Sequence, residues 1–347
     1  MEKLPQERID KFKKVLKGAK EKIAIILNHD DPDAFACAKV FEAICKLFEK
    51  SVKIFSPKIL DTPQNKYIWN KFSLVDDFHP LDTFADSEDK NEYDTILLDS
   101  SSLEDARLGG LKIDPVIIID HHPNETKLDE PEDKWYWVSA YGAAISMVAR
   151  VFLDVGLEFK LNDSLATLAV IGLLTDADTK LLSPHMTELD YDIFHHLSKF
   201  MNAAKAKETF DAVYDMKYVT MFVTAIQNMS RDENLVITHF EYMPREDIGY
   251  LAILADDISN IKEVDVVFIY VIAEDSLYVK VRADDSVELD STIKKIFKNP
   301  VTGKTYGGAR HGKGAAQVPL GFWVPTEDNK AEFMEWLHKK MKAVINL

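Results

Sequence analysis

Apolar positions along the chain follow two alternating periods. Ile9, Phe12, Val15 and Leu16 recur at helical spacing within the first 20 residues and predict an amphipathic helix. Ile23 to Leu27 is apolar without interruption, as in a parallel strand covered on both faces. Ala34 to Phe48 returns to the helical period, and Ser51 to Phe55 is short and β-like. Thr95 to Leu98 runs into Asp99 and Val116 to Ile119 into Asp120, so each of these predicted strands ends on a carboxylate. Helices over about Gly142 to Leu153 and Asp163 to Leu174 follow, the second leading into Thr175 and Asp176. The intervening stretch from Pro80 to Asp94 is acidic and poor in apolar residues, which predicts a solvated loop.

Buried strands alternating with helices imply an α/β fold with a doubly wound, mainly parallel sheet. Function in such sheets gathers at the carboxyl ends of the strands. No glycine-rich dinucleotide fingerprint follows the first strand and no GxxxxGK[ST] phosphate loop occurs, which argues against both of those ligand classes. A mostly helical stretch from Ser183 to Asn228 leads to further β-like runs at Leu235 to His239, Val264 to Ile272 and Leu277 to Val281. Helical patterns over Leu289 to Phe297 and Lys330 to Ile345 complete this part. The expected organisation is a sheet domain over 1–190, a helical connector over 191–228 and a smaller α/β domain over 229–347. A length of 347 residues fits two domains at roughly 100–200 residues each.

Composition narrows the function classes. Apolar residues make up 46% and charged residues 29%, as in a soluble protein with a sizeable core. Against 58 Asp and Glu stand 42 Lys and Arg, a net charge of −16 that argues against wrapping duplex DNA. A small phosphorylated ligand, held by a local basic pocket or by metal ions, stays open. The two cysteines, Cys37 and Cys45, lie in one predicted helix and read as buried reduced thiols. No stretch reaches the ~18 apolar residues of a membrane span, and the charged N-terminus does not resemble a signal peptide. A cytoplasmic location without membrane contact is the expectation.

Candidate chemistry concentrates in four segments in which a hydrophobic element ends in Asp or His: 28–33 (Asn-His-Asp-Asp-Pro-Asp), 98–101 (Leu-Asp-Ser-Ser), 119–123 (Ile-Asp-His-His-Pro) and 174–178 (Leu-Thr-Asp-Ala-Asp). Each alone is a helix cap or turn. Together they place several carboxylates at one sheet edge, where they would repel unless a cation sat among them. Oxygen ligands mixed with imidazole suit Mn²⁺ or a similar ion. Further along, 280–313 holds eight Lys and Arg against four Asp and Glu in an otherwise acidic chain. Lys294, Lys295 and Lys298 read as an exposed helix face. Arg282, Arg310 and His311 lie beside small residues that let a phosphate approach the backbone. The Trp135-Tyr136-Trp137 run reads as packing rather than as a base-stacking platform, and His195-His196 as a packed or solvated pair.

With Asp120-His121-His122 and its flanking clusters in this order, the chain resembles the DHH phosphoesterase superfamily. Gly307-Gly308-Ala309-Arg310-His311 followed by Ala315-Ala316 resembles the GGxxH…AA motif of the associated DHHA1 domain, and Val281-Arg282-Ala283 that domain's arginine-bearing strand. The resemblance runs from Ile23 to Val318. It implies a metal-dependent phosphatase or phosphodiesterase, of the nanoRNase, pAp phosphatase or exopolyphosphatase type. Such an enzyme uses two Mn²⁺ ions, with Mg²⁺ or Co²⁺ as alternatives. It acts on a small nucleotide, short oligonucleotide or polyphosphate in a cleft between two domains, and a homodimer is compatible with it.

By position, His29 and Asp33 resemble ligands of the first ion, Asp99 the bridging aspartate, and His121 and Asp176 ligands of the second. Asp120 would orient an imidazole and His122 would sit close to the substrate phosphate, while Arg282, Gly307, Gly308, Arg310 and His311 would bind substrate. One position departs from the family's HxxPDxD pattern: Phe35 stands where the last aspartate is expected. Asp30, Asp31 or Asp178 could fill the gap, and Asp31 with Asp33 forms a D-x-D pair in a shifted register. An unfilled gap would make the chain a catalytically weakened nucleotide-binding or sensing protein.

Overall fold

The uninterrupted apolar run after the first helix forms the centre of a sheet. Ile23, Ile25 and Leu27 point into one hydrophobic cluster, Ala24 and Ile26 into another, and all five are fully buried. A strand covered on both faces has no polar side to show, hence the missing alternation. The structure is a computed structural model that describes all residues except 1–2, 59, 61, 105, 123–127, 159–160, 177–184, 213, 285–286, 311, 327 and 346–347. The chain parts into two units, Met1–Leu60 with Gln64–Ala212, and Asp61–Pro63 with Val213–Leu347.

The elements up to residue 212 run α1 (Gln6–Gly18), β1 (Lys22–Leu27), α2 (Pro32–Leu47), β2 (Ser51–Ser56), α3 (Pro63–Lys71), β3 (Phe78–Pro80), α4 (Leu81–Ala85), β4 (Tyr93–Leu98), β5 (Ile117–Asp120), β6 (Trp135–Val138), α5 (Ala144–Asp154), α6 (Asp163–Asp176), α7 (Glu188–Leu197) and α8 (Ala203–Asp211). Six parallel strands lie in the order β3-β2-β1-β4-β5-β6, the doubly wound arrangement. The direction of winding reverses between β1 and β4, which opens a crevice at their carboxyl ends. Asn28 Nδ2 donates to Ser100 Oγ at 2.7 Å and ties those two strand ends together.

Local sequence sets the helix that faces this crevice. Asp31 caps α2 by accepting from Ala34 N at 2.9 Å, and Pro32 occupies the first turn, where its missing N–H costs nothing. α2 packs closely on α6 at Gly172. A Cβ there would come within 2.8 Å of Pro32 O and 3.1 Å of the Asp33 Cα, so only glycine lets α6 press against the start of α2. The stretch 80–94 is not the expected solvated loop. α4 and a short 3-10 turn over Glu88–Glu92 occupy it, because Leu81 and Phe84, three apart, bury themselves against the sheet. Trp135 is fully buried at 5.1 Å from Phe12, edge to face, a packing role.

The second unit runs α9 (Met216–Gln227), β7 (Ser230–Asp232), β8 (Leu235–Tyr242), α10 (Gly249–Ser259), β9 (Val266–Ala273), β10 (Ser276–Ala283), α11 (Leu289–Ile296), β11 (Gly307–Arg310), β12 (Lys313–Pro319) and α12 (Lys330–Ile345). Its sheet has the order β11-β12-β10-β9-β8-β7, antiparallel except for β8 beside β9. It is the smaller α/β unit. Of the helical stretch between the two sheets, α7 and α8 fall in the first unit and α9 in the second. Among the described residues, no helix is long and apolar enough to cross a membrane.

One histidine pair gives this unit an acid sensitivity. His239 on β8 lies 4.4 Å, ring to ring, from His338 on α12, and Tyr270 OH is 2.6 Å from His338 Nδ1. Burial, then the neighbouring His338 and Lys342, push His239 down to about 4. A depressed histidine contributes stability that is complete above its ordinary pKa near 6.5 and lost as pH falls toward 4. The second unit is therefore expected to lose stability over that window, and His239→Gln to flatten the loss. Urea titrations of both proteins at pH 7 and pH 4.5 check this, and an unchanged pH slope in the variant refutes it.

Candidate metal centre

Every acidic cluster singled out in the first unit arrives at the crevice from a strand or helix end. Asp99 follows β4 directly, in the left-handed region at φ 56°, with its N–H held by Ile119 O at 2.9 Å. Aspartate tolerates this conformation better than most residues, and such backbone outliers cluster at functional sites. Asp120 closes β5, and His121 and His122 continue from it. Asp176 is the last residue of α6, an end where the helix dipole disfavours a negative charge unless a cation answers it. Asp33, in the first turn of α2, is fully buried. Its carboxylate oxygens accept from Ala144 N at 2.7 Å and Ile145 N at 2.8 Å, capping α5, whose own cap residue Ala143 offers no side-chain acceptor. Asp33 Oδ1 also accepts from Cys37 Sγ at 3.7 Å.

Among the described residues two groups of ligand atoms converge, each with its members within 4.8 Å of one another: Asp99, His121 and His122, and Asp33, His121 and Asp176. Asp33, which the resemblance pairs with His29, thus lies together with the residues aligned to the second ion. His121 holds the key geometry. Its Nδ1 is 3.0 Å from Tyr141 O, and a carbonyl only accepts, so Nδ1 carries the hydrogen. In the neutral ring Nε2 then offers a lone pair, 3.0 Å from Asp176 Oδ2 and 3.5 Å from Asp99 Oδ1. Three electron-rich atoms facing each other in a buried place require a cation between them, a metal ion or a proton. The site therefore fits a divalent ion.

The titration behaviour follows from this crowding. Burial, reinforced by Asp33, Asp31 and Asp176, drives Asp99 well above the usual carboxylate range. Burial, then Asp176, pushes Asp33 up as well, and the same two causes raise Asp31. Burial alone would lower His121, but the hydrogen bond and charge of Asp176 outweigh it and raise the ring. Asp31 thus belongs electrostatically to the cluster in addition to capping α2. His122 is half-exposed, and Asp120 Oδ1 accepts both from its Nδ1 at 2.6 Å and from its backbone N at 3.0 Å. The rings of His29 and His122 stack at 6.3 Å.

Phe35 does not face this cluster. Its side chain is fully buried in the core, edge-on to Trp69 at 5.4 Å and Phe78 at 5.6 Å. Asp30 is buried, and its carbonyl accepts from Asn65 Nδ2. Asp178 lies outside the described residues. Sequence reasoning missed Arg107, on a short turn over Ala106–Leu108, whose guanidinium meets His29 Nδ1. A lone arginine in a polar loop carries no signal of that contact. It also missed Gly172 and the capping of α5 by Asp33, both consequences of tertiary packing.

In the second unit Arg282 on β10 is turned toward α10, where Nε and Nη2 pair with the Asp256 carboxylate. Gly307 and Gly308 lie on β11. A Cβ on Gly307 would meet Ala315 O at 2.5 Å, so close packing accounts for that glycine, and one on Gly308 would come within 3.1 Å of Asp290 Oδ1. Asp290 also accepts from Ala309 N at 2.9 Å. Arg310 closes β11, and His311 lies outside the described residues.

No family model and no curated protein sequence matches the chain. Solved structures do. An exopolyphosphatase-related protein from Bacteroides fragilis superposes with a TM-score of 0.67 at 14% identity, over 99% of this chain and 98% of that one. The exonuclease RecJ bound to manganese gives a TM-score of 0.50 at 13% identity, over 96% of this chain and 94% of that one. Likeness at such low identity speaks to the fold alone: the chain has the fold of the DHH phosphoesterases.

Proposed function

We propose that the protein is a metal-dependent hydrolase of phosphoester or phosphoanhydride bonds in a small phosphorylated substrate. The observation that carries the reading is the convergence of His121 Nε2 with the Asp99 and Asp176 carboxylates, next to the buried Asp33. Asp33, His121 and Asp176 would hold one ion, His29 and Asp31 another, and Asp99 both. The D-x-D pair is then Asp31 and Asp33, two residues earlier than the family's register, and Phe35 removes no ligand. On this assignment a weakened sensor would lose its ground. Mn²⁺ suits this mixed oxygen and imidazole set, with Mg²⁺ or Co²⁺ as alternatives.

Bound there, paired ions supply Lewis acidity at phosphorus and a nucleophilic water near neutral pH. The protein's own residues position and move protons. Asp120 fixes the His122 ring through Nδ1, and a ring that also carries a proton on Nε2 would donate it to a phosphoryl oxygen or to the departing oxygen. The Tyr141 carbonyl holds His121 in the tautomer that ligates. In the second unit Arg282, Arg310 and His311 stay the proposed substrate-binding residues, although Arg282 already gives Nε and Nη2 to Asp256, Nη2 to Ala252 O and Nη1 to Val281 O.

The test is a hydrolysis panel with Mn²⁺ and with chelator: a short oligonucleotide, 3′-phosphoadenosine 5′-phosphate, a cyclic dinucleotide and polyphosphate. Turnover of at least one, abolished by chelation and restored by Mn²⁺, is the expected result. No turnover of any of them, by protein shown to hold Mn²⁺, would sink the reading.

A further inference from the structure

The contact between Arg107 and His29 is incompatible with metal ligation by that histidine. A guanidinium has donors and no acceptor, so the His29 Nδ1 it meets must contribute its lone pair. A neutral imidazole that accepts at Nδ1 carries its hydrogen at Nε2. While the contact holds, His29 has no lone pair left for an ion. Arg107 and a metal ion therefore compete for one side chain.

The turn that carries Arg107 is held on the sheet, so a displaced guanidinium stays within a side chain's reach of His29. Leu108 is buried against Ile26, Leu97 and Ile118 beneath the sheet. Leu111 N closes the turn on Leu108 O at 2.9 Å, and Gly109 and Gly110, at φ 60° and 79°, reverse the chain as only glycine readily does. The same loop begins at Asp99, so its first end is anchored at the site. Arg107 itself is exposed.

We infer that Arg107 is a substrate-binding residue that exchanges partners: it rests on His29 when no ion is bound, and turns to a phosphoryl oxygen of the substrate once an ion takes His29. This rests on the metal-dependent reading above. The planar fork of arginine matches phosphate geometry and stays charged at every working pH. The exchange couples the two binding events. An ion bound at His29 ends this contact and frees that donor of Arg107 for the anion.

Calorimetry on the full chain tests this without any turnover. Wild type, Arg107→Ala and Arg107→Lys are titrated first with Mn²⁺ and then, loaded with Mn²⁺, with orthophosphate. Removing the competitor should tighten the weaker Mn²⁺ site roughly threefold or more in Arg107→Ala. Removing the charged contact should weaken orthophosphate roughly tenfold in the same variant. Arg107→Lys, which keeps the charge without the fork, should fall between. An exposed side chain leaves no cavity when truncated, so all three are expected to fold. If wild type takes up Mn²⁺ and Arg107→Ala matches it in either titration, the role given to Arg107 is wrong while the metal site stands. If wild type takes up no Mn²⁺, the inference fails together with the reading beneath it.

Discussion

Asp99→Asn is expected to lose Mn²⁺-dependent hydrolysis by more than roughly a hundredfold, beyond the 10–100-fold cost of losing a residue that merely supports a ligand. Asparagine accepts the left-handed backbone at φ 56° and fills the same volume, so the substitution removes charge and little else. Asp99 lies 3.5 Å from His121 Nε2 and is the carboxylate proposed to serve both ions. Stability should move the other way. Burial and three neighbouring carboxylates already oppose ionisation of Asp99, so the ion-free variant should melt at or above the wild-type temperature at pH 7.5. A thermal scan beside the activity assay separates lost chemistry from lost fold. Wild-type turnover in the variant would remove Asp99 from the centre.

Phe35→Asp, which would put a carboxylate at the family's usual spacing, is expected to unfold the first unit rather than to improve a metal site. The ring is fully buried between Trp69 and Phe78. Losing a buried phenylalanine costs about 3–5 kcal/mol, and an unpaired polar group in its place adds about 1–3 kcal/mol or more. Against a total stability of about 5–15 kcal/mol, little remains. Phe35→Leu should cost less than about 1.5 kcal/mol and leave the Mn²⁺ stoichiometry unchanged. Urea unfolding of both variants checks the contrast. A stable Phe35→Asp that bound Mn²⁺ more tightly than wild type would show that position 35 does face the ions.

The fold was largely legible because burial wrote it into local sequence. The run Ile23 to Leu27 and the carboxylate-tipped strands ending at Asp99 and Asp120 have the pattern of a parallel sheet, and the structure places them there. β11 and β12 were not legible as strands, since Gly307, Gly308, Ala315 and Ala316 have no β-branched bulk, and Gly307 is small for packing reasons. The short helix at Leu81–Ala85 hid in an acidic stretch, because two buried side chains suffice to seat it. At the site, the residue types and their order were readable, but the grouping was not. Whether Asp33 stands beside His29 or beside His121 and Asp176 depends on how α2 meets α6 at Gly172, and Arg107 reaches His29 only through the path of its loop.

The most direct test of the central claim is anomalous scattering at the manganese edge from crystals of the full chain grown with Mn²⁺. Two peaks per chain are predicted at the carboxyl ends of β1 and β4, both touching the Asp99 carboxylate, one also bound by Asp33, His121 and Asp176 and the other by His29 and Asp31. A single peak, or peaks that leave Asp99 and His121 without metal, would contradict the two-ion centre.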